Sequence, residues 1–422
     1  MRFAQSSNRV RLLLICVVQW TIVTTRAFSI RSLVHQSARE SLPSKRLLFH
    51  RLHATDNARG NQYLNEKIST FTDETSTKNW LVVGDGDLSY SAQLATSLDP
   101  LKVKLIASVL EDESTHSQVY RYSSKNTQSI QNMGHTVRFG VDATKLIQSF
   151  APESIDRIVF NFPHWRGKAN HRYNRQLVDQ FLASAAQIIT KHGEIHVALL
   201  HGQGGLEARD LQGWRRSWTV PMYANMHGLL LQRIEDFEVT YNLSSHRGVD
   251  RGFPTGQKPR RYIFCLPRSS INDADGSEPI LPEYQMSCRH ELRLCLDPAR
   301  SSSDCPFTYQ ELVEYDVVPD LVKACAPPGI GVLLPLRELV YPKHSDIPIL
   351  VFLIVYSGVS QPLTRESGDA IRAKVETTIA EATRLDIAKA GRMVSRIAPY
   401  PILEALVDEY KTSKLASTTE EN

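Results

Sequence analysis

The stretch "IVFNFPHWRGKANHRYNR", residues 158–175, begins as an apolar run and becomes a mixture of rings and cations. At its corner, Asn161, Phe162, Pro163 and His164 bring together an amide, a phenyl ring and an imidazole. An amide can hold the polar edge of a planar ring, a phenyl can stack on it, and a histidine can move a proton near neutral pH. A proline turn closing a strand would explain the same four residues. The residues that follow favour a site: Trp165, Arg166, Lys168, Arg172, Tyr173 and Arg175 interleave rings with cations, the composition that stacks unpaired bases and holds the phosphates of single-stranded RNA. His246 and Arg247, in the later "SSHRG", are expected as second-tier RNA or base contacts.

A second stretch, "VVGDGDLSYS" at 82–91, sets Gly84 and Gly86 between a strand-like run and a helical pattern, where a doubly wound sheet binds its ligand. Asp85 and Asp87 would repel a pyrophosphate, and the third glycine of a dinucleotide fingerprint is missing. A cationic ligand suits this loop, and the sulfonium and ammonium groups of S-adenosylmethionine qualify, while an ordinary strand-to-helix turn would explain the Gly-x-Gly alone equally well. Glu111 and Asp142 end the next two apolar runs, where a carboxylate can take ribose hydroxyls or accept from an adenine amine. Any one of these acids reads equally as a helix cap; acids at three successive strand ends point to a site.

To bring these residues together, the chain between 78 and 267 needs a sheet whose strands end side by side. Apolar runs at 80–84, 102–110, 136–142, 155–162 and 193–200 alternate with helical patterns such as "SYSAQLATSL" and "RQLVDQFLASAAQIITKH". This alternation predicts a parallel sheet covered on both faces. "FEVTYNL" (237–243) and "RRYIFCL" (260–266) add a hairpin, giving about seven strands. The fold expected is α/β, a Rossmann-like seven-stranded domain of the methyltransferase kind. His196, inside one of the apolar strands, is expected to be a satisfied core histidine.

A polar, proline-containing link at 268–284 introduces a smaller α+β unit at 285–400. Its order is a strand, a helix interrupted at Pro319, two strands and a helix, with a fourth strand placed at "GRMVSRI"; this predicts a ferredoxin-like sandwich. The tail at 411–422 is expected to be disordered.

The 422 residues carry a formal charge of +4, yet residues 1–59 hold ten Lys and Arg against two acids, so the remainder stands near −4. Global charge therefore argues nothing for nucleic acid. Locally, residues 157–261 hold fifteen Lys and Arg against eight acids, a surplus suited to a phosphate-bearing partner. The first 59 residues read as a targeting leader: a basic opening, an apolar run too short to span a bilayer comfortably, and an Arg- and Ser-rich remainder poor in acids. This pattern predicts import into the plastid of a secondary-plastid alga, with the mitochondrion or the secretory pathway as alternatives, and no stable membrane association of the mature chain. Five cysteines beyond the leader lack Cys-x-x-Cys pairing, so no metal site is expected.

Taken in order, "LVVGDGDLSYSAQLA", "VDATKL", "DRIVFNFPH", "NRQLVDQFLASAAQII", "GEIHVALL" and "SSHRG" resemble the family of ribosomal RNA uridine-N3 methyltransferases over about residues 80–266. The resemblance implies S-adenosylmethionine as methyl donor, held by Gly84 to Asp87, Glu111 and Asp142, and ribosomal RNA as partner, with Asn161 to His164 at the target base. Glu111 stands where that family usually has Asp, and the loop after His164 is heavier in Trp and Arg. The second unit resembles the ferredoxin-fold anticodon-binding domain at the end of phenylalanyl-tRNA synthetases, which implies tRNA as a further partner. The expected function is methyl transfer to N3 of uridine in ribosomal RNA. A non-catalytic rRNA- or tRNA-binding protein with a degenerate methyltransferase fold is the alternative, and a small-molecule methyltransferase is disfavoured by the loop at 164–175. The oligomeric state is not legible in the sequence.

Overall fold

The first apolar run becomes β1 (Lys78–Val83), whose alternating side chains part to the two faces of a sheet. Leu81 and Val83 join the core on one face, Trp80 and Val82 the core on the other. After it come α1 (Ser89–Ala95), β2 (Val103–Ser108), α2 (Glu113–Val119), α3 (Ser123–Asn132), β3 (Thr136–Arg138), β4 (Ile155–Asn161), α4 (His171–Ile188) and β5 (Ile189–Leu199). α5 (Leu211–Arg216), α6 (Val220–Met226), β6 (Leu230–Asp236) and β7 (Arg260–Cys265) complete this part.

The structure is a computed structural model that describes residues 77–165, 170–241, 258–267, 285–297, 305–342, 345–388 and 397–404. The leader (1–59), the link at 268–284, the tail at 411–422, and Arg166, Lys168, His246 and Arg247 lie outside the described residues. No described helix is long and apolar enough to cross a membrane.

The strand order is β3-β2-β1-β4-β5-β7-β6, parallel from β3 through β5, with β7 running against both of its neighbours. This is the Rossmann-like seven-stranded sheet that the sequence predicts. The order reverses between β1 and β4, so their carboxyl ends border the crevice where open α/β sheets take their ligands. α4 covers one face with a stripe of Val178, Phe181, Leu182, Ala185 and Ile188.

Three elements differ from expectation. α4 ends at Ile188, not His192, because Ile189 leaves the helix to pair with Ile155 in the sheet. β3 stops at Arg138, and Asp142 instead caps a 3-10 turn. The sixth strand is Leu230–Asp236 rather than 237–243. Arg233 and Glu235 break its apolar pattern, yet they belong to a half-buried ion network: Glu194 accepts from Arg233 at 2.7 Å and from Arg157 at 3.0 Å. His196 sits against the same carboxylate, 2.8 Å away, as the satisfied core histidine that its position predicts.

The second sheet contains β8 (Met286–Cys295), β9 (Ile330–Val340), β10 (Ile349–Gly358) and β11 (Ala398–Pro399), in the order β11-β8-β10-β9 with every pairing antiparallel. α7 (Tyr309–Glu314), α8 (Val317–Cys325) and α9 (Arg365–Thr383) fill the crossovers, giving the ferredoxin-like order. The expected break at Pro319 falls earlier, between Glu314 and Val317. Pro319 is the third residue of α8, where a missing N–H costs no intrahelical bond. Most of "GRMVSRI" lies outside the described residues; the fourth strand described is the short β11 just after it.

A seam joins the two sheets. Trp214 of α5 is buried with Met286 of β8 and with Ile402 and Leu403, and the Gln285 amide donates to the Leu231 carbonyl at 2.8 Å.

Candidate active site

A cavity of about 780 Å³ opens at the carboxyl ends of β1, β2 and β4. Gly84, Asp85, Gly86, Asp87, Glu111 and Asp142 all line it, and so do Asn161, Phe162, His164 and Trp165. Residues up to 81 positions apart in the chain thus meet at one crevice, because their strands end side by side.

The glycine loop is built around positive φ angles at Gly84 and Gly86, +62° and +47°. Its two carboxylates turn toward the start of α1: Asp85 accepts from the Ser91 N–H at 2.7 Å and Asp87 from the Ser89 N–H at 3.1 Å. Both acids therefore cap a helix while facing the cavity, so the cap and the site are one arrangement. Desolvation, aided by the charge of Asp87, pushes the Asp85 carboxyl up to about 7 against the opposing hydrogen bonds from Ser91.

Glu111 follows β2 half-buried on the cavity wall, while its neighbour Asp112 takes the N-cap of α2, accepting from the Thr115 N–H at 2.9 Å. Asp142 divides its carboxylate: one oxygen accepts from the Thr144 N–H at 2.9 Å, the other lies 3.8 Å from Lys145.

Asn161 ends β4. Both atoms of its amide are buried and lack a hydrogen-bond partner among the described residues, although the Tyr90 and Tyr241 hydroxyls neighbour it. Phe162 next to it adopts φ +50°, a left-handed conformation seldom held by a bulky residue, with its ring edge-on to Phe237 at 5.7 Å. Pro163 is buried behind them.

The His164 Nδ1 lies 2.7 Å from the Trp165 carbonyl. A carbonyl can only accept, so the neutral ring donates from Nδ1 and carries its lone pair on Nε2. The Trp165 N–H donates to the Asn174 side chain at 2.8 Å, and its indole stacks on Tyr173.

Arg172 is exposed on the first turn of α4. Arg175 is differently employed: its guanidinium donates to the carbonyls of Ser217, at 2.9 Å from Nε, and of Arg215. It ties α4 to the end of α5.

Tyr241 also lines the cavity, a residue that the sequence reading assigns to a strand. Burial, reinforced by the Asp85 charge, raises its hydroxyl well above the usual tyrosine range. Its signal in the sequence is a pair of aromatic residues four apart, Phe237 and Tyr241, beyond the end of β6.

Residues 81–245 match the family model described as "rRNA (uridine-N3-)-methyltransferase BTM5-like". A mouse protein named ferredoxin-fold anticodon-binding domain-containing protein 1 homolog is 34% identical over 204 residues, which cover 45% of this chain and 32% of that one. Its human counterpart is 34% identical over 180 residues, 41% of this chain and 28% of that one. The chain spans less than a third of the length of these curated relatives. Among solved structures, a SAM dependent methyltransferase from Aquifex aeolicus overlaps loosely, 13% identical over 50% of this chain and 93% of that one at a TM-score of 0.31. With this strand order, the glycine loop and the Asn161 corner at one crevice, residues 81–245 form a methyltransferase-fold domain that matches the BMT5-like family model.

Proposed function

We propose that the protein is an S-adenosylmethionine-dependent RNA methyltransferase acting on N3 of uridine, with ribosomal RNA as substrate. The observation that carries this reading is that Asn161, at the end of β4, lines the same cavity as the glycine loop and the acids Glu111 and Asp142. The cavity is within the range of cofactor sites, roughly 300–1,000 Å³. Its donor set also fits the cofactor: Asp85 is available to an ammonium group, Glu111 to ribose hydroxyls, and the Asp142 oxygen beside Lys145 to an adenine amine. When bound, the cofactor supplies an electrophilic methyl group on a sulfonium.

The remaining chemistry belongs to the chain. N3 of uracil lies on the Watson–Crick edge, so the base must be unpaired or flipped out to reach the cavity. The Asn161 amide holds the imide edge, and Phe162 and Trp165 offer ring faces. The N3 proton must leave before the nitrogen can accept a methyl group, and His164, which lines the cavity, is the residue assigned to take it. Trp165 on Tyr173 extends a stacking surface outward for the flanking nucleotide, with Arg172 toward the backbone.

Tritiated methyl transfer to ribosomal RNA, followed by mass spectrometry of the modified nucleoside, tests the reading. We expect 3-methyluridine with wild type, and with Asn161→Ala a kcat lower by about 10²-fold at little-changed donor affinity. RNA binding without any donor binding would select the non-catalytic RNA-binding alternative.

A further inference from the structure

Gly86 and Leu88, two residues apart in the glycine loop, both hold left-handed backbone, φ +47° and +66°. Leu88 is not glycine, so this geometry carries a steric cost that surrounding contacts must offset. Two side chains from the α2 and α3 helices grip the loop from outside the cavity. His116 is fully buried, with Nε2 at 2.6 Å from the Gly86 carbonyl, and Asn126 donates its amide to the Asp87 carbonyl at 2.7 Å.

The tautomer follows from the partners. A carbonyl only accepts, so Nε2 carries the proton, and Nδ1, at 2.6 Å from Ser123 Oγ, accepts from the hydroxyl. Tyr120 and Phe139 flank the ring at 4.8 and 5.4 Å. Across a planar trans peptide the N–H points opposite to the C=O, so gripping two successive oxygens fixes where the Asp87 and Leu88 N–H groups aim. The gripping helices follow β2, whose end leads into Glu111. His116 therefore ties the loop after β1 to the acid after β2, the two walls of one crevice.

We propose that His116, seconded by Asn126, is a positioning residue for the methyl-donor site: it holds the glycine loop in its left-handed form and in register with Glu111. The proposal rests on the S-adenosylmethionine reading above. His116 does not line the cavity, so it acts through the Gly86 carbonyl and never on the donor itself.

The test is calorimetric titration of the full chain with S-adenosylhomocysteine, together with methyl-transfer kinetics at varied donor and RNA concentrations. His116→Leu removes both ring nitrogens and is expected to weaken binding about tenfold and raise the donor KM, leaving the RNA KM within about twofold. His116→Gln, whose amide can still donate to Gly86, recovers most of that loss. Ser123→Ala deletes only the hydroxyl that orients the ring; it keeps the test informative if His116→Leu fails to fold, with an expected loss of about threefold. A folded His116→Leu, or Ser123→Ala together with Asn126→Leu, that binds like wild type overturns the proposal. Parallel loss of donor and RNA affinity with a lowered Tm overturns it in favour of a purely structural role. Wild type that binds no S-adenosylhomocysteine overturns the donor reading and this proposal with it.

Discussion

Trp165 and Tyr173 lie face to face, ring centroids 5.4 Å apart and planes 19° from parallel, across the entrance to α4. Tyr173 is exposed, and Trp165 lines the cavity, so the pair runs from the site to solvent. Stacking on such a surface contributes about 1–3 kcal/mol per base, whatever the base. Trp165→Ala should therefore weaken single-stranded RNA binding by that amount at unchanged salt dependence. Arg172→Ala should instead lower the salt slope by about one, as loss of a single phosphate contact does. Fluorescence anisotropy across a salt series separates the two.

Gly84→Ala should destabilise the fold more than Gly140→Ala. Both positions have positive φ, +62° and +73°, but a Cβ at 84 would come 2.7 Å from the Phe160 ring, while at 140 it meets open space. The backbone cost alone is about 1–2 kcal/mol, so urea denaturation should show that for Gly140→Ala and an added penalty for Gly84→Ala.

Acid should unfold the protein through the Glu194 network. Burial opposes ionisation of Glu194, yet His196, Arg157 and Arg233 hold it far below the usual carboxylate range. A carboxyl depressed on folding contributes stability above its unfolded pKa and loses it as pH falls through the folded value. Burial pushes His196 down from 6.5 to about 4, so between those values only the unfolded chain takes its proton, and stability again falls with pH. The decline from pH 7 to 4.5 should be on the order of 1–3 kcal/mol, and His196→Gln should flatten its upper part in Tm measurements.

Donor affinity should depend on pH near neutrality. The Asp85 carboxyl, raised to about 7, must be ionised to attract a cation, so S-adenosylmethionine binding should strengthen from pH 6 to pH 8. Asp85→Asn should bind weakly with a flat profile, as read by calorimetry in buffers of matched ionisation heat.

The site was legible in the sequence wherever its residues end apolar strands. Gly84, Glu111 and Asn161 follow or end runs that form parallel strands, whose ends meet whatever their separation in the chain, while Asp142 reaches the cavity from the 3-10 turn it caps. The sixth strand was hidden because Arg233 and Glu235 are paired inside the structure, Arg233 with Glu194 of β5 and Glu235 with Arg261 of β7, partners that no local pattern reveals. His116 and Asn126 were invisible for a related reason: each is a lone polar residue whose partner lies 30 or 39 positions away. Arg175 looked like a phosphate contact, since type and neighbours cannot distinguish a free guanidinium from one that holds the Ser217 and Arg215 carbonyls.

The seam at Trp214 means that the methyltransferase-fold half is not a detachable cartridge. A chain cut after Cys265 would strip Met286, Ile402 and Leu403 from that indole and leave a sticky apolar scar beside α5. Arg175 connects the end of the same helix to α4, so a disturbance at the scar has a direct route to the helix that begins beside the candidate site.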